Sequence, residues 1–228
     1  MQKILLFLLF CLFSLGSVSD NKKTTVDICI PDYYLWYTHM GLSDKVSYEA
    51  FEQAITGFFN TEGHSKGLLT LIDFTKPSTE KRLFVLDMRN KQLLFSSYVS
   101  HGRNSGDNYA TSFSNEIGSF KSSLGFYLTD GTYQGNNGYS LLLNGLEKGI
   151  NDKARERAIV IHGAPYANPS TIQYAGRLGR SLGCPALPLA VSKAIIDTIK
   201  GGSLLFIYAN DQQYVQNSPI LSADSYFS

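Results

Sequence analysis

Ala158-Ile159-Val160-Ile161-His162-Gly163 leads into a loop punctuated by Gly176, Gly179 and Gly183, which ends in Arg180-Ser181-Leu182-Gly183-Cys184-Pro185-Ala186. The apolar run over 158–161 reads as a buried strand, so His162 and Gly163 fall at its end. Cys184 follows 22 positions later. A strand end is a rigid place to hold a base, and the returning loop can bring a thiol to it. A thiol attacks as its thiolate, and a neighbouring imidazole is the usual means of generating that form. We therefore read Cys184 as a nucleophile and His162 as its base. Gly183 lets the backbone approach a substrate closely, and its N–H, with that of Cys184, is expected to face a developing oxyanion. Ser181 either hydrogen-bonds the substrate or fixes the loop.

Outward from this segment the pattern is of short strands. Residues 68–74, 82–88 and 93–100 are rich in β-branched and aromatic side chains, and Pro77-Ser78 and Arg89-Asn90 punctuate them. Further strands are expected over 125–129, 140–143 and 203–208, and a helix over 191–200 that Gly201 stops. Residues 43–60 carry Val46, Ala50, Phe51, Ala54, Ile55 and Phe58 at helical spacing. They predict an amphipathic helix starting near Ser43 or Asp44 and capping the main domain. Residues 101–123 form a long polar stretch, a functional or mobile loop by its length. The fold class that follows is mainly β with helical additions, a sandwich or barrel. The strand-and-long-helix alternation of a doubly wound sheet is missing.

At the N-terminus, Met1-Gln2-Lys3 precedes an oily run over 4–13, and Ser17-Val18-Ser19 fits a small-x-small cleavage site. This reads as a secretory signal peptide, too short to span a bilayer at about 20 apolar residues, with a mature chain starting near Asp20 and no stable membrane anchor. Cleavage removes one lysine from 20 basic residues and none of the 19 acids. The resulting neutral chain disfavours nucleic acid. Cys29 and Cys184 are then the remaining thiols. Two cysteines so far apart are not a disulfide framework, and Cys29 reads as a small buried hydrophobe. The expected organisation is a signal peptide at 1–19, a helical N-terminal region at 20–66, a catalytic domain at 67–208 and a loosely held polar tail at 209–228. No pair of histidines has zinc-ligand spacing, so no metal is expected, and a monomer is the default.

His162 followed by a loop and Ser181-Leu182-Gly183-Cys184 resembles the L,D-transpeptidase catalytic domain that remodels bacterial peptidoglycan. Several other stretches resemble one branch, the murein L,D-transpeptidase catalytic domain family, over roughly residues 65–208. They are His101-Gly102-Arg103, Phe113-Ser114-Asn115, Ser122-Ser123-Leu124-Gly125-Phe126-Tyr127, Asn151-Asp152 with Arg157, and Gly179-Arg180 with Pro185-Ala186. The resemblance implies a mixed β-sandwich, no cofactor, peptidoglycan stem peptides as partners and a place in the periplasm or cell envelope. It implies that Cys184 forms an acyl-enzyme with a tetrapeptide stem and releases D-alanine, with Gly163 orienting the imidazole through its carbonyl. Transfer to an amine gives a 3→3 cross-link; transfer to water makes an L,D-carboxypeptidase. Leu182 and Ala186 depart from residues common in the wider superfamily, a second histidine and an arginine or asparagine. Arg180 and Arg177 are then candidates for a substrate carboxylate, because arginine forks fit carboxylates. His101 and Tyr166 are further candidates for substrate contact, His101 with a structural role as its alternative. Asp152 and Arg157 are expected to pin the turn into the His162 strand. The rival readings are a papain-like protease, disfavoured by the order of histidine and cysteine, and a non-catalytic wall-binding module of the same fold.

Overall fold

A computed structural model describes residues 32–222. The leader reading and that for Cys29 lie outside these residues. Helix α1, Tyr33–His39, is capped by Asp32, whose carboxylate accepts from the N–H groups of Tyr34 and Leu35 at 3.0 and 3.1 Å. Helix α2, Tyr48–Asn60, starts later than Ser43 because Ser47 takes the cap and its Oγ accepts from Ala50 N. Its inner face, Ala50, Phe51, Ala54, Ile55 and Phe58, is buried on the sheet. Gly57 sets the distance of that contact, since a Cβ there would lie 1.9 Å from the Phe126 ring.

The strands are β1 (Leu68–Asp73), β2 (Leu83–Asp87), β3 (Gln92–Ser97), β4 (Gly125–Gly135), β5 (Gly138–Gly145), β6 (Val160–Gly163), β7 (Ala186–Leu187) and β8 (Leu204–Tyr208). They form one eight-stranded mixed sheet in the order β3-β2-β1-β8-β4-β5-β6-β7. The architecture is mainly β with helical additions, as the strand pattern implies. At its centre β8 runs parallel to β1 and antiparallel to β4. All five of its residues are buried, which is why its sequence is continuously apolar rather than alternating. The β4–β5 hairpin extends well past the expected limits, turning at Asn136 and Asn137 between Gly135 and Gly138. Asparagine and a glycine at positive φ suit so tight a turn.

Between β6 and β7 the chain makes a 3₁₀ turn, Pro165–Ala167, and helix α3, Ser170–Ala175, which Gly176 closes at φ +70°. It then returns to run parallel to β6. Helix α4, Leu189–Ile199, follows Pro188 and packs on β6. The segment from Ala209 is held more firmly than its polarity suggests. Residues 212–217 form helix α5, and Tyr214 and Ser218 are buried and donate to the carboxylate of Glu147, itself fully buried. A polar composition hid this anchor because the acceptor lies 67 positions from Tyr214.

Candidate active site

The parallel pairing of β6 with β7 builds the site. It sets Ala186 opposite His162 and Leu187 opposite Gly163, so Cys184 enters the same corner two residues earlier. Two isolated bridges, Ser100 with Ala186 and Gly102 with Ser181, fasten the returning loop to the start of the long polar stretch and the residue just before it.

His162 is 3% exposed. Its Nδ1 lies 3.1 Å from the carbonyl of Gly163. A carbonyl only accepts, so Nδ1 carries the proton and Nε2 keeps the lone pair. Burial holds the imidazole below its usual pKa, opposed by that hydrogen bond, so it is neutral at pH 7. The ring meets Tyr166 edge-on, with centroids 6.5 Å apart. Tyr166 is half-buried, packed on Ala164, Ala167 and Ala186. Burial first, then the nearby Cys184, pushes its hydroxyl up to about 12.

Cys184 is the free cysteine of the described residues and 8% exposed. Its thiol donates to the carbonyl of Ala158 at 3.5 Å rather than to His162. Ala158 holds φ +53°, an uncommon conformation for a residue with a Cβ. Burial raises the thiol pKa, and the Val160 N–H and the Arg157 charge oppose that rise. The sulfur is thus sheltered and protonated at rest.

Two expectations for the loop are corrected by its hydrogen bonds. The N–H of Gly183 donates to Ser181 Oγ at 3.1 Å, so it is not free to face an oxyanion. Ser181 Oγ in turn donates to the Cys184 carbonyl at 2.6 Å. Buried Ser181 therefore fixes the loop and has no hydroxyl to offer a substrate. Gly183 is needed for shape instead. It sits at φ +130°, and a Cβ would come within 2.9 Å of both Ile159 Cδ1 and the Lys121 carbonyl.

His101 is corrected as a substrate contact. It is 1% exposed, its Nδ1 accepts from Arg82 Nη2 at 2.8 Å, and its Nε2 faces the Gly106 carbonyl at 3.4 Å. Burial, then the Arg82 charge, lowers its pKa to about 3. Its carbonyl accepts from Ser181 N, so it supports the cysteine loop from below. Arg82, fully buried, also donates to the carbonyls of Val99 and Lys76. Arg180 and Arg177 are partly exposed and converge on Asp107, and Arg180 also donates to the Gly106 carbonyl at 2.8 Å. They keep a charged edge toward solvent while already holding one carboxylate.

Asp152 and Arg157 do not pair. Asp152 accepts from Asn115 Nδ2 and Gly149 N, whereas Arg157 bonds the 114–123 segment. That long polar stretch is pinned, through Ser105, Ser114 and Ser122. Among the described residues no cluster of His, Cys, Asp or Glu could hold a metal ion, and no helix is long and apolar enough to cross a membrane.

The family model of the L,D-transpeptidase catalytic domain matches residues 42–208. The chain belongs to this family. No protein of the curated set matches it. Among solved structures it is similar to the L,D-transpeptidase from Mycobacterium smegmatis, at 13% identity and a TM-score of 0.39 over 63% of this chain and 59% of that one. It is also similar to Bd1075 from Bdellovibrio bacteriovorus, at 22% identity and 0.40 over 65% and 49%. A third is Pgp2, titled a helical cell shape determining protein, from Campylobacter jejuni, at 14% and 0.42 over 70% and 57%. The chain thus spans roughly half to three fifths of the length of these proteins. The family match begins at residue 42 and so takes in helix α2 as well as the sheet.

Proposed function

We propose that this chain is an exported cysteine L,D-transpeptidase acting on peptidoglycan stem peptides, with Cys184 as nucleophile and His162 as general base and acid. Family membership supports the reaction class. The observation that carries the residue roles is the β6–β7 pairing, which gathers the thiol, the imidazole and Tyr166 into one corner.

In this reading the Nδ1–H bond to Gly163 leaves Nε2 as the proton acceptor. The neutral imidazole takes the thiol proton as sulfur attacks the amide that follows the L-centre of meso-diaminopimelate in a tetrapeptide stem. The C–N bond breaks, and the imidazolium returns its proton to the departing D-alanine amine. A thioester joins the stem to Cys184. An amine of a second stem attacks it while His162 takes the amine proton, the C–S bond breaks, the proton passes back to the Cys184 sulfur, and a 3→3 cross-link results; water in place of the amine gives carboxypeptidation. Because the base must be neutral, turnover falls as pH drops through the lowered His162 pKa.

The test is Cys184→Ala with tetrapeptide muropeptides as substrate. Loss of both dimer and D-alanine release supports the reading, and unchanged turnover ends it. Chromatography of the products separates cross-linking from carboxypeptidation. The second reading, a wall-binding module, draws on the sheltered thiol and on Leu182, which is 59% exposed where a histidine is common. Mass spectrometry after carbapenem exposure discriminates: an adduct on Cys184 favours the enzyme, and binding to sacculi without an adduct favours the module.

A further inference from the structure

At rest the imidazole is neutral and the thiol bonds a carbonyl, so before the thiol proton reaches His162 neither supplies a positive charge that would favour a thiolate in a buried site. One cation stands in the right place. Arg157 is half-buried, and its Nη1 donates to the Ser114 carbonyl at 2.7 Å and to Ser123 Oγ. Its Nη2 donates to Ser119 Oγ at 3.3 Å and to the Lys121 carbonyl. The four N–H bonds of its two amino groups are therefore directed at the protein, which leaves no fork for a substrate carboxylate. The Nη2 edge of the guanidinium lies beside Gly183, the residue before Cys184. A Cβ built on Gly183 would lie 3.5 Å from Arg157 Nη2 and 2.9 Å from the same Lys121 carbonyl that Arg157 holds. Among the described residues no carboxylate comes within ion-pair distance of it, and the acid that acts on it, Glu116, does so more weakly than Tyr127 and Cys184.

We propose that Arg157 is a positioning residue of this active site: it clamps the 114–123 segment against the Gly183–Cys184 turn and lends its fixed charge to the Cys184 thiolate. The inference rests on the reading of Cys184 as nucleophile. The direction of the electrostatics agrees, since Arg157 is the charged group that lowers the thiol pKa against burial, and Cys184 raises that of Arg157. The other titratable groups acting on this corner are Tyr166 and His162, both neutral at pH 7 in the resting site, and Tyr127 and Glu116, which act on the arginine. Neither of the first two is a cation until the thiol proton reaches His162.

The test is the pH dependence of iodoacetamide alkylation, followed by mass spectrometry of the Cys184 peptide, in the full mature chain and in Arg157→Gln and Arg157→Lys. The Gln variant should move the alkylation midpoint up by about one pH unit, roughly tenfold slower labelling at pH 7, and lower kcat with little change in KM. The Lys variant, which keeps the charge but not the fork, should stay within a few tenths of a unit. A Gln variant that melts earlier yet keeps the wild-type midpoint reduces Arg157 to a structural clamp and overturns the proposal. If the Gln variant does not fold, the Lys variant decides: a midpoint moved by a full unit despite the retained charge is equally fatal. Alkylation needs no peptidoglycan, so failure of the transpeptidase reading would appear in turnover and leave this measurement standing.

Discussion

Acid should destabilise this protein through its buried imidazoles, most strongly through His101, with His162 acting in the same sense. In the folded chain His101 is 1% exposed and accepts a hydrogen bond from Arg82; burial first, then the Arg82 charge, lowers its pKa to about 3 from an ordinary 6.5. The neutral form is the one the fold accepts. Its contribution is complete above pH 6.5 and is lost as pH falls from there toward 3, because the unfolded chain binds the proton first. Each unit of difference is worth about 1.4 kcal/mol, so lowering pH from 7 to 5 should remove about 2 kcal/mol through this group alone. Two buried carboxyls, Asp73 and Glu147, have raised pKa values and act in the opposite sense over the acidic range. A difference measurement is therefore required. Urea unfolding of the wild type and His101→Gln at pH 7, 6 and 5 provides it. Gln carries no titrating group, so its stability should fall about 2 kcal/mol less than that of the wild type. Parallel stability losses in the two proteins would refute the argument, showing that the proton enters without disturbing this site.

Ser181→Ala should cost about 1–3 kcal/mol, because it leaves the buried Gly183 N–H and Cys184 carbonyl without their partner. Turnover should drop on the order of a hundredfold from displacement of the sulfur; chemical denaturation and a D-alanine release assay check the two effects. Glu147→Ala should release the C-terminal segment, since Tyr214, Ser218 and the Phe126 N–H lose their common acceptor. Limited proteolysis should then cut within residues 209–222, and resistance equal to that of the wild type would count against the anchor.

Much of the fold was legible along the chain, and so was the strand that carries His162. The apolar runs at 68–74, 82–88 and 203–208 correspond to β1, β2 and β8, and the periodic face of 43–60 to α2, because burial imposes its period on sequence directly. β7 was not legible. Two residues carry no period, and Ala186 and Leu187 are a strand only because β6 and Ser100 pair with them. The same holds for Arg157, expected with Asp152 to pin the turn into the His162 strand, whose partners lie 34 to 43 positions away.

The sequence alone determined the residue types and their order: a strand ending in His162-Gly163, a glycine-framed Cys184, and the apolar pattern of a mainly β domain. Tertiary structure decided what each polar group does. It turned Ser181 and the Gly183 N–H inward, closed His101 against Arg82, and set the Arg157 guanidinium beside the Gly183–Cys184 turn. Hydrophobic burial is a one-residue property that sequence records, whereas hydrogen bonds and fields depend on which distant atoms meet, and that is settled only when the chain folds.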